Sequence, residues 1–509
     1  MTIHATAQPI EPRTHRTTIS SFINGRFQPP SGSSPILPVI DPSTEAVVGE
    51  LVESSAEEVD RAVEEAARAF ASGVWSRALI DERQRVLNRI HDLVLANADE
   101  LIALEGVNTG IPIAQLRGMH LPRTAQNFRF FAEFIGQMAD EAYGQERGVS
   151  TKVVREPSGV AALIGPWNAP LALNSMKIAS ALAFGNSCVI KPSEQTPLAV
   201  ARLVELVAEA GVPEGVIGMV NGRGATVGAG LVANPQIRMV SFTGGTQTGR
   251  AILQHAAQSG FKRVALELGG KSANIVCASA DFDQALDGSL LAIYANNGQQ
   301  CLAGSRILVH RSLADRFIEA FAERTRAVRV GDPRDPKTEV GPLASLVHLE
   351  RVLGFVDQAR DSGTRILAGG SRLAGAKRGF YMEPTALLAS NNRDRICQDE
   401  IFGPVATFLT FDTMEEAVRI ANDSAFGLAA YVWSNDLAEV ADLTEAIQAG
   451  TIWVNTPMVR DLRSAFGGYK ESGFGREGGR SALDFYTEAK SVIVARGPRQ
   501  LPRFGAVKP

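Results

Sequence analysis

Three polar residues interrupt otherwise apolar stretches of this chain: Asn168 in IGPWNAP, Glu267 in LELGGKS and Cys301 in NNGQQCLAGSR. A thiol becomes a nucleophile once ionised, a carboxylate can take up a proton, and an amide can donate to developing negative charge. Glu267 is the least ordinary of the three, because a buried acid is costly unless it has a partner or a task. Cys301 taken alone has two readings, a nucleophile or a small core residue, since free cysteine is among the most buried residue types. No second Cys, His or acid stands beside it. The four cysteines, Cys188, Cys277, Cys301 and Cys397, form no CxxC pair, so neither a metal site nor a disulfide framework is expected.

A second group of residues has the chemistry of phosphate binding. IRMVSFTGGTQTGRAI predicts a strand running into Gly244 and Gly245 and a helix starting near Thr246, whose free N–H groups and dipole would face a pyrophosphate. A turn used only for close packing is the alternative. A P-loop is not expected, since Arg250 stands where Lys should be and no Ser or Thr follows. Gly473, Gly475 and Gly478 in SGFGREGG satisfy G-x-G-x-x-G, but no apolar strand leads into them. In CVIKPSEQTP, Lys191 and Glu194 follow a strand-like run. A Glu there could accept from both ribose hydroxyls of an adenosine and would repel a 2′-phosphate, favouring NAD over NADP. A solvated charge pair is the plainer reading.

These residues need elements to carry them. Ser55 and Glu58 form a capping box ahead of Val59, Val63, Ala66 and Phe70, predicting an amphipathic helix. From residue 159 the runs GVAALIG, SCVIKP, GVIGMVNG, IRMVSFTG and VALELGG alternate with helical patterns such as TPLAVARLVELVAEAG. That alternation predicts βαβ units and a parallel sheet covered on both faces. A second α/β set runs from DFDQALDGSLLAIYANNG through VATFLTF and AAYVWS to GTIWVN, with the boundary near Gly269 and Gly270. KSVIVA, residues 490–495, reads as a late isolated strand that needs a sheet to join, in this chain or another subunit. The length of 509 residues calls for more than one core, and 45% apolar with 21% charged residues is globular composition. A net charge of -4 gives no basic footprint for nucleic acid and no polybasic run for a membrane, so small-molecule partners are expected. The first 20 residues lack the apolar run of a signal peptide, and the expected compartment is the cytoplasm.

In order along the chain, PWNAP, KPSEQTP, FTGGTQTG, LELGGKS, GQQCLAGSR, EIFGPV and FGGYKESGFGRE resemble the aldehyde dehydrogenase superfamily. The resemblance implies an α/β aldehyde dehydrogenase fold: a Rossmann-like NAD-binding domain (21–137 and 157–269), an α/β catalytic domain (270–480) and a small β oligomerisation element (138–156 and 481–509), after a flexible tail (1–20). It implies Cys301 as nucleophile, Asn168 with the Cys301 N–H as oxyanion donors, and Glu267 as the base activating water against a thioester. It implies NAD contacts at Ile164, Trp167, Lys191, Ser193, Glu194, Gly244, Gly245, Thr246, Leu268, Glu400 and Phe402, and a homodimer or homotetramer. Gly245 stands where the family usually has Ser, Ala465 replaces a common Pro, and Ala169, where many members carry an aromatic, should widen the substrate tunnel.

VRDLRSAFGG and HLPRTAQNFRFFAE resemble the hydroxymuconic semialdehyde dehydrogenase branch, nearest to enzymes of 5-carboxymethyl-2-hydroxymuconate semialdehyde. That implies a carboxylate-bearing aldehyde gripped by Arg123 and Arg463 beside Phe466, since a guanidinium fork matches a carboxylate. Arg463 could instead pair with Asp461. A broad-range aromatic or aliphatic aldehyde dehydrogenase is the alternative within the enzyme class, and a catalytically silent nucleotide-binding protein the alternative outside it.

Overall fold

The apolar runs of the first half of the chain become neighbours in one sheet. The computed structural model describes residues 18–30, 34–144 and 146–505. Val160–Ile164, Ser187–Lys191, Ile217–Met219, Ile237–Thr243 and Arg263–Glu267 lie parallel in an eight-stranded sheet. Register matters more than count. Ile164 pairs with Lys191 and with Phe242, and Thr243 pairs with Glu267, so these residues share the carboxyl edge of the sheet. Ligands lie at that edge in open parallel sheets. Val160–Ile164 and Ser187–Lys191 are buried along their length, as the continuous apolar runs predict, and Ile237–Thr243 at every residue but Arg238.

The chain leaves this sheet at Glu267 and enters a seven-stranded one at Ala273, with Gly269 and Gly270 between. In the second sheet only Arg365–Ala368 runs antiparallel. Thr487–Ala495, which contains KSVIVA, pairs antiparallel along its whole length with Val149–Pro157 of the same chain, and Glu141–Tyr143 completes a three-stranded sheet.

The helix Ala56–Ser72 carries the predicted capping box: Glu58 N–H donates to Ser55 Oγ at 3.2 Å and Ser55 N–H to Glu58 Oε2 at 2.9 Å. Val59, Val63 and Ala66 are buried, while Phe70 is only half-buried. Part of the expected tail is structured, because Thr18 and Ile19 already form a strand with Val47–Val52; residues 1–17 lie outside the described residues. The first two glycines of SGFGREGG lie against the eight-stranded sheet, while Gly478 and Gly479 pack on the backbone of residues 462–464. Gly473–Phe474 is the sheet's edge strand, antiparallel to Leu266 and Glu267, and a Cβ at Gly473 would stand 2.6 Å from the Leu266 carbonyl oxygen.

Candidate active site

The amides before Cys301 build its turn. The helix Phe282–Tyr294, capped by Asp281 on Gln284 N–H, ends just before three left-handed residues: Asn296 (φ 55°), Asn297 (φ 58°) and Gly298 (φ 71°). Asn tolerates that region better than other non-glycine residues. Each conformation is held from outside. Asn297 Nδ2 donates to the carbonyls of Gly110 and Pro342 at 3.0 Å, and its Oδ1 accepts from Gly341 N–H at 2.7 Å. Asn296 N–H donates to Gln115 Oε1 at 2.7 Å, and Gln299 Oε1 accepts from Ala344 N–H at 2.9 Å. Gly270 lets the Cys301 backbone come close, since a Cβ there would lie 2.2 Å from the Cys301 oxygen.

Asn168 lies in the same network. It precedes the helix Pro170–Ala183, and its carbonyl accepts from Asn296 Nδ2 at 2.9 Å. Its Nδ2 donates one proton to the Gln299 carbonyl at 2.8 Å, leaving the second N–H for an oxyanion. The helix start is held from below by Glu105, whose Oε1 accepts from Leu171 N–H at 3.2 Å. Burial lifts the Glu105 carboxyl to about 8 against that hydrogen bond.

Glu267 is 4% exposed, and neither carboxylate oxygen has a hydrogen-bond partner among the described residues. Burial first, then the neighbouring Glu477, hold its pKa well above the usual carboxylate range, against Lys177, Arg460 and Arg476. The Cys301 thiol is pushed up to about 12 by burial, with Glu400 and Glu267 adding to the shift and Arg123 opposing it. Both shifts favour the neutral forms, and the Glu267 carboxyl adds to the shift of the thiol. Glu477 behaves oppositely. It takes a 2.7 Å hydrogen bond from Lys177 Nζ, and although burial raises it, Lys177, Arg460 and Arg123 hold it below the usual range.

The expected arginine pair is corrected by the fold. Arg123 is half-buried, its Nε shielded without a partner among the described residues. Burial and then Arg460 lower its pKa, to about 9, against Glu477 and Cys301. Arg463 is not its companion. Its side chain is 80% exposed and lies on Asp461, Nη2 to Oδ2 at 2.6 Å. The cause is a tight turn: Ser464 N–H donates to the Asp461 carbonyl, and Gly479 packs on the Arg463 backbone, turning the side chain outward. Arg460, three residues earlier, faces inward instead. Its guanidinium lies 4.2 Å from the Phe466 ring centroid, its Nη2 is shielded and unpartnered among the described residues, and it couples to Glu267, Glu477 and Cys301.

The residues expected to hold NAD line the sheet's carboxyl edge. Ile164 and Lys191 end adjacent strands, and Lys191 Nζ donates to Glu194 Oε2 at 3.4 Å. Ser193 Oγ accepts from Gln195 N–H in the same turn. Gly245 caps the helix Thr246–Gln258 with no side-chain hydrogen bond, leaving its first N–H groups free. A Cβ at Gly244 would strike the Phe242 ring at 2.4 Å, whereas one at Gly245 would meet nothing within 4 Å, so open space lies before the helix N-terminus. Leu268 packs on Gly249 of that helix. These donors fit a dinucleotide diphosphate.

At the other end, Glu400 Oε1 accepts from Gly270 N–H at 3.0 Å, and burial lifts the acid to about 7 against that bond, Arg351 and Lys271. A Cβ at Gly269 would lie 2.3 Å from Glu400 Oε2. Phe402 takes a left-handed φ of 63°. Arg351 donates to the carbonyls of Glu400 and Ile401, both at 2.7 Å, and His348 Nε2 to that of Phe402 at 2.7 Å. His348 also packs edge-on against Trp167, centroids 5.1 Å apart, and Trp167 against Phe402 at 5.2 Å. Sequence reading singles out none of Arg460, His348, Arg351, Gln115, Asn296 and Asn297 for these positions. The doubled Asn before Gly298 was the one local signal available, since Asn-Gly marks left-handed turns.

Comparison with known proteins agrees with this geometry. Residues 28–492 match the aldehyde dehydrogenase family. The chain is 43% identical to the 5-carboxymethyl-2-hydroxymuconate semialdehyde dehydrogenase of Escherichia coli, over 91% of this chain and 97% of that protein. It is 40% identical to the 2-hydroxymuconic semialdehyde dehydrogenase of Pseudomonas sp. (strain CF600), over 94% and 99%. Among solved structures, the NAD+ complex of an aldehyde dehydrogenase from Bacillus cereus superposes with a TM-score of 0.91 at 37% identity, covering 94% of this chain and 96% of that one. A family match across most of the chain, on a fold that brings a thiol, an unpartnered acid and an amide donor to one sheet edge, makes this chain a member of the aldehyde dehydrogenase family and an NAD-dependent oxidoreductase of aldehydes.

Proposed function

We propose that the protein oxidises a carboxylate-bearing semialdehyde, of the hydroxymuconate type produced by aromatic ring cleavage, to the acid. The observation that carries this reading is the pair of inward guanidinium groups, Arg123 and Arg460. Each has a shielded N–H without a partner among the described residues, each couples to Cys301, and they repel one another. Two cations so arranged call for an anion, and a substrate carboxylate supplies it with bidentate geometry. The names of the relatives from Escherichia coli and Pseudomonas point to the same substrate class.

NAD, when bound, supplies the hydride acceptor. Cys301 Sγ forms the bond to the aldehyde carbon as the thiol gives up its proton to solvent. The oxygen's developing charge is met by the second N–H of Asn168 Nδ2 and the N–H of Cys301. At the thioester stage Glu267 takes a proton from water, whose oxygen displaces sulfur to give the acid. Lys191, Ser193 and Glu194 orient the adenosine ribose, Gly244, Gly245 and Thr246 the diphosphate, Trp167, Ile164 and Leu268 the walls, and Glu400 and Phe402 the nicotinamide end. Phe466 lines the substrate side.

The division of the chain into NAD-binding (21–137 and 157–269), catalytic (270–480) and oligomerisation (138–156 and 481–509) parts belongs to the same proposal, as does a homodimer or homotetramer. Ile493 is 68% exposed and Val494 51% on the outer strand of the three-stranded sheet, surface that a second copy would cover. Cytoplasmic residence is proposed with them. Among the described residues no helix is long and apolar enough to cross a membrane.

The test is NADH formation across hydroxymuconic semialdehydes, benzaldehydes and alkanals. The proposal expects kcat/KM to favour the carboxylate-bearing substrates by about 100-fold or more, the scale of two charged hydrogen bonds. Equal values would support a broad-range enzyme, the reading that the small Ala169 beside Asn168 favours.

A further inference from the structure

Glu53 precedes the helix Ala56–Ser72, yet its carboxylate belongs to the end of the strand Ile217–Met219, 170 residues away along the chain. Its side chain is 8% exposed. It accepts three hydrogen bonds from one loop: Arg223 N–H to Oε1 at 3.0 Å, Arg223 Nη1 to Oε2 at 2.6 Å, and Thr226 Oγ1 to Oε1 at 2.7 Å. The fit is built in. Gly222, at φ 138°, leaves room for it, since a Cβ there would lie 2.6 Å from Glu53 Cγ. Gly228, at the far end of the loop, lies against the Lys191 side chain, and Lys191 feels both Glu194 and Glu53. Burial raises Glu53, but Thr226 and the Arg223 donors outweigh it and keep the group ionised.

We infer that Glu53 is a coenzyme-discriminating residue: by engaging Arg223 it removes the second cation that a 2′-phosphate would need beside Lys191. The inference rests on the proposed placement of the adenosine ribose between Lys191 and Glu194. There the local charges cancel in two pairs, Lys191 with Glu194 and Arg223 with Glu53. A 2′-phosphate brings additional negative charge into a site where, among the described residues, both cations are already paired, next to two carboxylates; NADP-binding sites of this architecture instead present an arginine there. Half of the Arg223 side chain is exposed, so once freed of Glu53 it can swing to a new anion, whereas Glu53 itself is enclosed.

The experiment is calorimetric binding of NAD+ and of NADP+ to the full-length protein without substrate, for the parent, Glu194→Gln, Glu53→Gln/Glu194→Gln, and that double variant with Arg223→Ala added. Gln at position 53 keeps an acceptor for Arg223 N–H and Thr226 while removing the charge. NADP+ Kd should fall by about tenfold or more from Glu194→Gln to the double variant, and Arg223→Ala should return the gain, while NAD+ Kd moves less than about threefold between those two variants. An NADP+ Kd unchanged by Glu53→Gln, or a gain that survives Arg223→Ala, overturns the inference. A parallel loss of NAD+ affinity on adding Glu53→Gln also overturns it, making Glu53 a scaffold of the loop. The NAD+ affinity of Glu194→Gln alone tests the ribose placement separately: no change there would move the ribose elsewhere.

Discussion

At the end of the strand Ser187–Lys191, each charge described above has an opposite partner: Lys191 lies on Glu194 and Arg223 on Glu53. Around Cys301 Glu477 is paired with Lys177, but several other groups of the same kinds have atoms without a hydrogen-bond partner. Both Glu267 oxygens, Arg123 Nε and Arg460 Nη2 are shielded and unpaired among the described residues, and the thiol is pushed up to about 12, chiefly by burial. Both regions are built from carboxylates and cations. Paired charges fix a shape at little expense, whereas unpaired buried polar groups weaken the fold and persist where a ligand or a proton completes them. On the proposed function, the first region is finished before anything binds and the second is completed by the substrate.

The most direct way to break this contrast is Cys301→Ala. NADH formation should fall by at least about 10³-fold, the scale for removing a nucleophile, while calorimetric NAD+ affinity stays within about threefold of the parent. Loss of both together would mean that the two regions are not separable. Glu267→Gln comes next. Acid formation should drop by about 10² to 10⁴-fold, as for loss of a general base, with a burst of NADH in rapid-mixing traces as acyl-enzyme accumulates. Because the Glu267 pKa is raised, the parent's turnover should climb with pH as the acid ionises, and the Gln variant should lose that climb.

The arginines sharpen the contrast further. Arg460→Leu should lower kcat/KM for carboxylate-bearing semialdehydes by about 10 to 100-fold and leave benzaldehyde nearly unchanged, whereas Arg463→Ala should alter neither by more than about twofold. A large effect of Arg463 would return it to the substrate site, against its exposed pairing with Asp461. The smallest effect expected is on stability. Glu105 is raised to about 8, so its neutral form contributes fully at low pH, and that contribution is lost as pH rises through about 8. Glu105→Gln should therefore lose less melting temperature than the parent between about pH 6 and 9 in scanning calorimetry.

Much of this site was legible in one dimension because polar residues at the ends of apolar runs are anomalous there. Asn168, Glu267 and Lys191 each end such a run, and the run ends become the carboxyl edge of a parallel sheet. The capping box at Ser55 and Glu58 is a spacing of three and needs no tertiary information. Two local patterns take their meaning only from the fold. Gly473, Gly475 and Gly478 form a nucleotide-like pattern, set aside in sequence for want of a leading strand; Gly473 lets an edge strand lie against Leu266 and Glu267, while Gly478 packs on the Ser464 carbonyl. Arg463 and Arg460 are equivalent as residue types, and only the turn at Asp461 and the packing of Gly479 decide which one faces Cys301.

By itself, then, the sequence determined the alternation of strands and helices, the order of the motifs and the identity of the thiol, acid and amide, because these depend on residue type and short spacing. The tertiary structure decided the rest. Asn296 and Asn297 read as part of an amide run until Gln115, Gly110 and Pro342 are seen to hold them in a left-handed turn. Nothing in the sequence singles out Glu53 or Arg223 until the fold closes the distance between them. Hydrogen bonds and charge pairing act through space, so which partners meet is a property of the packed chain, and in this protein that pairing separates the region built to bind from the region left open to react.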